Sequence, residues 1–123
     1  MTMTVSTQVN PVATRLAVDL ALGATVQANI LGAPATLYLV EVDNTANAAA
    51  ASYVKLWDAV TAVVGTTPPN LVYMAPAATK VTYAIPGGVA FAVGISVACV
   101  TAPGTAGTAA PTSSVPVRIL ASV

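Results

Sequence analysis

Residues 89–100, VAFAVGISVACV, form the stretch whose pattern decides the fold class. Bulky and mostly β-branched side chains alternate here with small ones, which is the period of a β-strand. The bulky set is Val89, Phe91, Val93, Ile95, Val97 and Cys99, and the small set is Ala90, Ala92, Gly94, Ser96, Ala98 and Val100. We predict one long strand, with its bulky face in a core and its small face under a second sheet or a neighbouring subunit. Gly94 is expected to mark a bulge or the point of closest approach.

Seven other stretches combine strand-forming residues with turn signals at their ends. They are residues 15–22, 25–31, 36–43, 53–58, 71–74, 80–85 and 115–120. Short strands at this spacing, without a strand–helix–strand rhythm, predict an all-β fold. We expect an antiparallel β-sandwich or jelly roll of about seven to eight short strands.

Three local patterns make finer predictions about these strands. Alternation in residues 15–22 assigns Leu16, Val18, Leu20 and Leu22 to a buried face. Residues 85–89, IPGGV, are predicted to form a turn in which a glycine takes a positive φ. Pro116 has no backbone N–H to donate, so the last strand is predicted to lie at a sheet edge.

Residues 44–64 leave a choice between helix and strand. The asparagines and alanines of NTANAAAA favour a helix that could continue to Gly65. The following SYVKLWD is rich in β-formers and alternates between two faces. We favour a strand over residues 53–58, with at most one helical turn before it.

The length of 123 residues suits a single domain with one core. The Thr-rich start, MTMTVSTQVNPV, predicts an extended arm over residues 1–12, followed by one β-sandwich domain over residues 13–123. Residues 102–114 are uncharged and low in complexity, and they are expected to form a loop ordered by a partner, or a flexible one.

Charge is scarce, which limits the possible functions. Charged residues make up 7% of the chain and sum to zero, against roughly a quarter of a typical soluble domain. No basic patch is available for phosphates, so nucleic-acid binding is not expected. The uncharged run of residues 81–117 is interrupted by prolines and glycines, so we expect no membrane-spanning helix there. A mean hydropathy of +0.80 indicates that partners cover much of the surface.

Groups that support catalysis or metal binding are also scarce. The chain has no histidine, and Cys99 is expected to be a buried core thiol. Glu41 and Asp43 share a strand face; they could bind a cation or act as an acid/base pair, but a strand end reaching solvent is favoured. Lys55 and Asp58 are expected to form a surface pair. We predict no catalytic residue, no metal, no cofactor and no enzymatic activity.

The aromatic residues suggest contacts with partners. Tyr53 and Trp57 share one strand face and could serve as interface anchors or as a platform for stacking sugars. Together with the arm, Gly94 and the loop, they form the set predicted to contact partners. That set is Met3, Val5, Val9, Tyr53, Trp57, Gly94 and Thr105.

The order of features over residues 44–120 resembles small β-rich virion proteins of tailed bacteriophages. The segments that carry the resemblance are YVKLWDA (53–59), VVGTTPPNLVYMAP (63–76), IPGGVAFAVGISVACVTA (85–102), GTAGTAAPTSS (104–114) and VPVRIL (115–120). One departure lies in residues 102–114, where members of that family usually carry acidic residues and this chain has none.

The resemblance implies a capsid decoration (cement) protein, a structural unit that binds the major capsid protein. It also implies a homo-oligomer, with a trimer favoured and a dimer possible, located on the phage head after synthesis in the host cytoplasm. Residues 1–12 would then reach across a subunit boundary. The alternative is a receptor- or glycan-binding module of a head fibre or tail.

Overall fold

The computed structural model describes residues 3–7 and 13–123, and these form eight strands without a helix. The strands are β1 (Thr4–Thr7), β2 (Arg15–Leu22), β3 (Ala35–Asp43), β4 (Ser52–Asp58), β5 (Leu71–Ala75), β6 (Lys80–Phe91), β7 (Ile95–Val100) and β8 (Val115–Ser122). A five-stranded sheet has the order β1-β2-β8-β3-β6, and a three-stranded sheet has the order β5-β4-β7. All pairings are antiparallel. The prediction of an all-β sandwich is confirmed, but its jelly-roll variant is not. In the described part of the chain, no helix is long and apolar enough to cross a membrane.

Residues 89–100 form two strands in different sheets, so the prediction of one long strand is wrong. β6 ends at Phe91 in the five-stranded sheet, and β7 begins at Ile95 in the three-stranded sheet. The Asp58 carboxylate holds the break between them, because it accepts hydrogen bonds from the backbone N–H groups of Ala92, Val93 and Gly94 at 2.8–3.3 Å. Gly94 is a point of close approach, as predicted: a Cβ there would lie 2.5 Å from Asn29 Oδ1.

The core lies between the two sheets and uses most of the bulky set. Ile95, Val97 and Cys99 of β7 are fully buried, and Phe91 is almost so. Cys99 is thus a core thiol, as predicted, and burial raises the pKa of this thiol to about 12. Val93 is the exception, with 49% of its surface exposed at the break between strands.

The face of β2 that is buried is the opposite of the one predicted. Ala17 and Asp19 are buried, whereas Leu20 is 59% exposed. The register with β8 causes this, because it pairs Ala17 with Ile119 and Asp19 with Val117, both of which face the core. A shift of one residue exchanges the two faces of a strand. A bulge between Asp19 and Leu22 then returns Leu22 to the core.

Residues 25–31 are not a strand of either sheet, in contrast to the prediction. The segment runs along the free edge of β7, where Gln27 and Val97 exchange two backbone hydrogen bonds of 2.8 and 3.0 Å. Further bonds join Ile30 N to Ile95 O and Cys99 N to Gly23 O. An edge strand leaves backbone groups unpaired, and this segment satisfies those of β7.

Pro116 lies in a central strand, because β8 is flanked by β2 and β3, so the edge prediction is wrong. β8 tolerates the proline because Asp19 pairs with Val117 and Leu22 with Val115, which places Pro116 opposite the bulge of β2. Pairing with β3 begins only at Val117. A proline at a bulge removes no regular ladder hydrogen bond.

Residues 85–89 form a bulge within β6 rather than a turn. Along β3 the pairing jumps from Leu39–Ala84 to Leu37–Val89. Gly87 and Gly88 have φ values of +80° and +74°, so the predicted positive φ is confirmed. A side chain at Gly88 would also lie 2.4 Å from the Thr36 methyl group.

Residues 44–64 contain the strand that was favoured, β4, and no helix. Asn44 is fully buried and organises the turns before β4. Its Nδ2 donates to the carbonyl groups of Ala50, Ala75 and Pro76, and its Oδ1 accepts from Asn47 Nδ2. Asn47 in turn exchanges two hydrogen bonds with the backbone of Ser113. These amides join three loops at one end of the sandwich.

Candidate interaction surfaces

The outer face of the five-stranded sheet carries a row of three leucines. Leu16 on β2 pairs with Leu120 on β8, which pairs with Leu39 on β3. We call Leu16, Leu120 and Leu39 the leucine row. Neighbouring strands lie roughly 4.8 Å apart, so the row extends about 10 Å across the sheet. All three side chains are half-buried and lie outside the core cluster.

The charges of this face lie beside the leucine row. Val18, Arg118 and Glu41 form the next row along the sheet. Glu41 accepts a hydrogen bond from Arg118 Nη1 at 3.1 Å, and Lys80 Nζ lies 3.6 Å from the same carboxylate oxygen. The three charges therefore form one cluster that spans β8, β3 and β6, whereas the outward residues of β2, Leu16, Val18 and Leu20, are apolar.

The other charged side chains are also engaged within the chain. Asp43 accepts hydrogen bonds from the hydroxyl and N–H groups of Thr45, and these bonds lower the pKa of Asp43. Hydrogen bonding from the Val93 N–H, together with those of Ala92 and Gly94, lowers the pKa of Asp58. Arg15 donates to the Thr14 carbonyl, and buried Asp19 accepts from the Ala21 N–H. All eight charged side chains thus have a polar partner within the chain.

Glu41 and Asp43 do not form a joint site, because each has its own partners. Among residues 3–7 and 13–123, no three side chains of the metal-binding types cluster. A shallow depression of about 180 Å³ lies at the Asn44 end of the sandwich, between residues 46–50 and Thr112. Alanine side chains and Asn47 line most of it, and none of its lining side chains is charged.

The outer face of the three-stranded sheet is covered by the chain itself. Trp57 is 1% exposed, and its Nε1 donates to the Thr67 carbonyl at 2.9 Å. Lys55 is also 1% exposed and donates to Gly104 O and Gly107 O, so the predicted surface pair with Asp58 is wrong. Ser96, Ala98 and Val100, from the small face of β7, are completely buried. On β7 the small face lies under protein, as predicted, but the covering loops belong to the same chain. Ala90 and Ala92 are exposed, so the prediction is wrong for the part of this face that precedes β7.

The predicted partner-contact residues therefore divide into accessible and covered ones. Val5 is 42% exposed on β1, and Tyr53 and Thr105 are half-buried. Trp57 and Gly94 are buried, so Tyr53 and Trp57 do not form an exposed aromatic platform.

The arm contributes the other two predicted residues. Met3 is 9% exposed, and its N–H donates to Gln27 Oε1 of the same chain at 3.3 Å. Val9 lies outside the described residues. All four residues of β1 are exposed, and among the described strands it pairs with β2 alone. The expected reach of the arm into a neighbouring subunit stays a prediction.

Three exposed valines, which the sequence did not indicate, lie in the segments that follow β4 and precede β7. Val60, Val63 and Val93 are 55%, 61% and 49% exposed, respectively. A backbone hydrogen bond from Ala59 N to Gly94 O holds two of these loop segments together.

The chain matches no protein-family model, and searches of curated proteins and of solved structures found no significant match.

Proposed function

We propose that this protein is a structural virion protein that decorates a phage head and stabilises it by binding across neighbouring major capsid protein subunits. The observation that carries the proposal is an outer sheet face with an apolar leucine row, on a chain whose eight charges all have internal partners. Such a surface supports attachment through apolar and backbone contacts rather than through intermolecular ion pairs. The resemblance over residues 44–120 supplies the phage assignment.

The proposed assembly is a homo-oligomer, with a trimer favoured, and its role is structural rather than enzymatic. Closed symmetry would cover exposed strand edges such as that of β1. The alternative, a glycan- or receptor-binding module, required an exposed Tyr53 and Trp57 platform. Because Trp57 is buried, no observation favours that alternative.

Attachment to phage heads should depend little on salt. Heads lacking the protein would be incubated with it in about 0.1 M and about 1 M NaCl, which shortens the Debye length from roughly 10 Å to roughly 3 Å. We expect the same occupancy by quantitative gel analysis of sedimented particles. Loss of the protein from heads at the higher salt concentration would overturn the apolar mechanism, and no binding at either concentration would overturn the proposed function.

The leucine row should contribute to this binding. Leu39→Gln and Leu120→Gln keep the size of the side chain but introduce an amide, and each should weaken attachment about tenfold by removing roughly 1.5 kcal/mol of apolar burial. Thr82→Gln on β6 is the control, because Thr82 is exposed on the same outer face, beside Glu41. Equal affinity of all three variants, with unchanged melting temperatures, would exclude this face from the interface.

A further inference from the structure

Residues 102–109, which we call the strap, form a closed loop over the three-stranded sheet. Both the N–H and the hydroxyl of Thr101 donate to the Ala109 carbonyl, which closes the base of the loop. Gly107 N donates to Gly104 O at 3.0 Å and makes an internal turn. Gly107 also packs against Ala102 so closely that a Cβ on Gly107 would lie 2.8 Å from the Cβ of Ala102.

Lys55 provides the hydrogen bonds between the strap and the sheet. Its Nζ donates to Gly104 O at 2.6 Å and to Gly107 O at 3.1 Å. Within the described chain, every other hydrogen bond of the strap is internal or at its base. The strap otherwise approaches the neighbouring loop at Gly65, where a Cβ would lie 2.5 Å from the Thr108 methyl group.

No carboxylate lies among the groups that face Lys55. Its neighbours in the sheet are Ala98 on β7 and Val72 on β5. The strap and residues 59–70 contain no titratable side chain, and Tyr53 is the titratable neighbour on the same face of β4. The described chain contains ion pairs of Glu41 alone, so the Lys55 amine has two carbonyl partners and no counter-ion.

We propose that the strap opens as a unit about its base at Thr101 and Ala109, and that Lys55 is the side chain that fastens it closed. Opening would expose Lys55 while the core stays folded. This inference does not depend on the proposed phage function.

Protonation of Lys55 should oppose closure. Burial of this group lowers the pKa of Lys55 below its usual value of 10.5. The neutral amine still donates two hydrogen bonds, but it has no charge to desolvate. By linkage, the closed strap binds fewer protons than the open one between the lowered pKa and 10.5. Raising the pH through that window should therefore hold the strap closed more tightly.

The two lysines of the chain provide an internal comparison for an accessibility test. The folded protein would be treated with an amine-acetylating reagent, and Lys55 and Lys80 would be quantified by peptide mass spectrometry. Lys80 has a half-exposed side chain and serves as the reference. We expect Lys55 to react about 100-fold more slowly, in proportion to the population of the open strap. Equal rates at the two lysines would overturn the proposal.

Two glycine variants separate opening of the strap from general effects of substitution. Gly107→Ala should distort the strap, because the new Cβ would lie 2.8 Å from the Cβ of Ala102 within the same loop, and should raise Lys55 labelling at least about tenfold. Gly104→Ala is the matched control, because a Cβ there meets nothing within 4 Å. Cys99 reports global unfolding, since it is fully buried in the core. Labelling of Lys55 that always accompanies reaction of Cys99, or equal effects of both glycine variants, would contradict opening as a unit.

Removal of the fastening group gives a second, independent readout. Lys55→Met keeps an apolar stem of similar length but removes both hydrogen bonds to the strap. We expect hydrogen exchange to accelerate at the hydrogen-bonded amides of Thr101 and Gly107, which close the base and the internal turn of the strap, but not at those of β8. Unchanged exchange in the strap would show that Lys55 does not hold it.

Discussion

The outer faces of the two sheets differ in what covers them. On the three-stranded sheet, loops of the same chain bury Trp57, Lys55 and Ala98. On the five-stranded sheet, Leu16, Leu39 and Leu120 stay half-exposed beside one charged cluster. The alternation of residues along a strand thus indicates that it has two faces. Whether the outer face is buried or exposed depends on the loops that pack over it. The open face is the one left for a partner.

The largest expected effect is on the covered face. Trp57→Ala should lower the free energy of unfolding by about 3–5 kcal/mol, because it leaves a cavity and an unpaired carbonyl at Thr67. Leu39→Ala on the open face should cost only about 1 kcal/mol, since Leu39 already contacts solvent. Urea unfolding of both variants measures the difference. Similar losses would show that the two faces are not distinguished by burial.

The sequence predicted the fold class because the period of two is a local property. Seven of the eight predicted stretches overlap strands, and the Cys99 prediction is confirmed for the same reason. The break in residues 89–100 was missed because its cause, Asp58, lies more than thirty positions earlier in the chain. The sequence did not predict which face of β2 is buried, because that depends on the register with β8.

The interface residues were harder to predict, because exposure depends on loops. Trp57 was predicted to contact a partner, but Thr67 and its loop bury it. Leu20 was assigned to the core and is exposed. A signal for the burial of Lys55 was present: it lies in SYVKLWD, where apolar residues occupy both faces of the strand. Its carbonyl partners, 49 and 52 positions further along the chain, could not be inferred from that pattern.

A smaller effect on stability should distinguish leucine substitutions at a buried alanine and at an exposed one. Ala98→Leu places a large side chain under the strap, where Ala98 is fully buried, and should destabilise the protein by about 1–3 kcal/mol. Ala84→Leu, at an exposed position beside Leu39, should change stability by less than about 0.5 kcal/mol. Thermal unfolding of the pair would test the comparison. A stable Ala98→Leu variant would mean that the covered face has room for a larger side chain.

The smallest effect on stability is expected at residues 92–94, where the chain crosses from the five-stranded sheet to the three-stranded sheet. Hydrogen bonds from the N–H groups of Val93, Ala92 and Gly94 lower the folded-state pKa of Asp58 from 3.8. The folded state therefore binds fewer protons than the unfolded chain at acidic pH. The resulting stabilisation is present above pH 3.8 and is lost as the pH falls through the lowered pKa. Asp58→Asn should lose less stability between pH 5 and pH 3, in urea unfolding, than the unmodified protein does. If both lose the same amount, the Asp58 carboxylate does not control the crossing between the sheets.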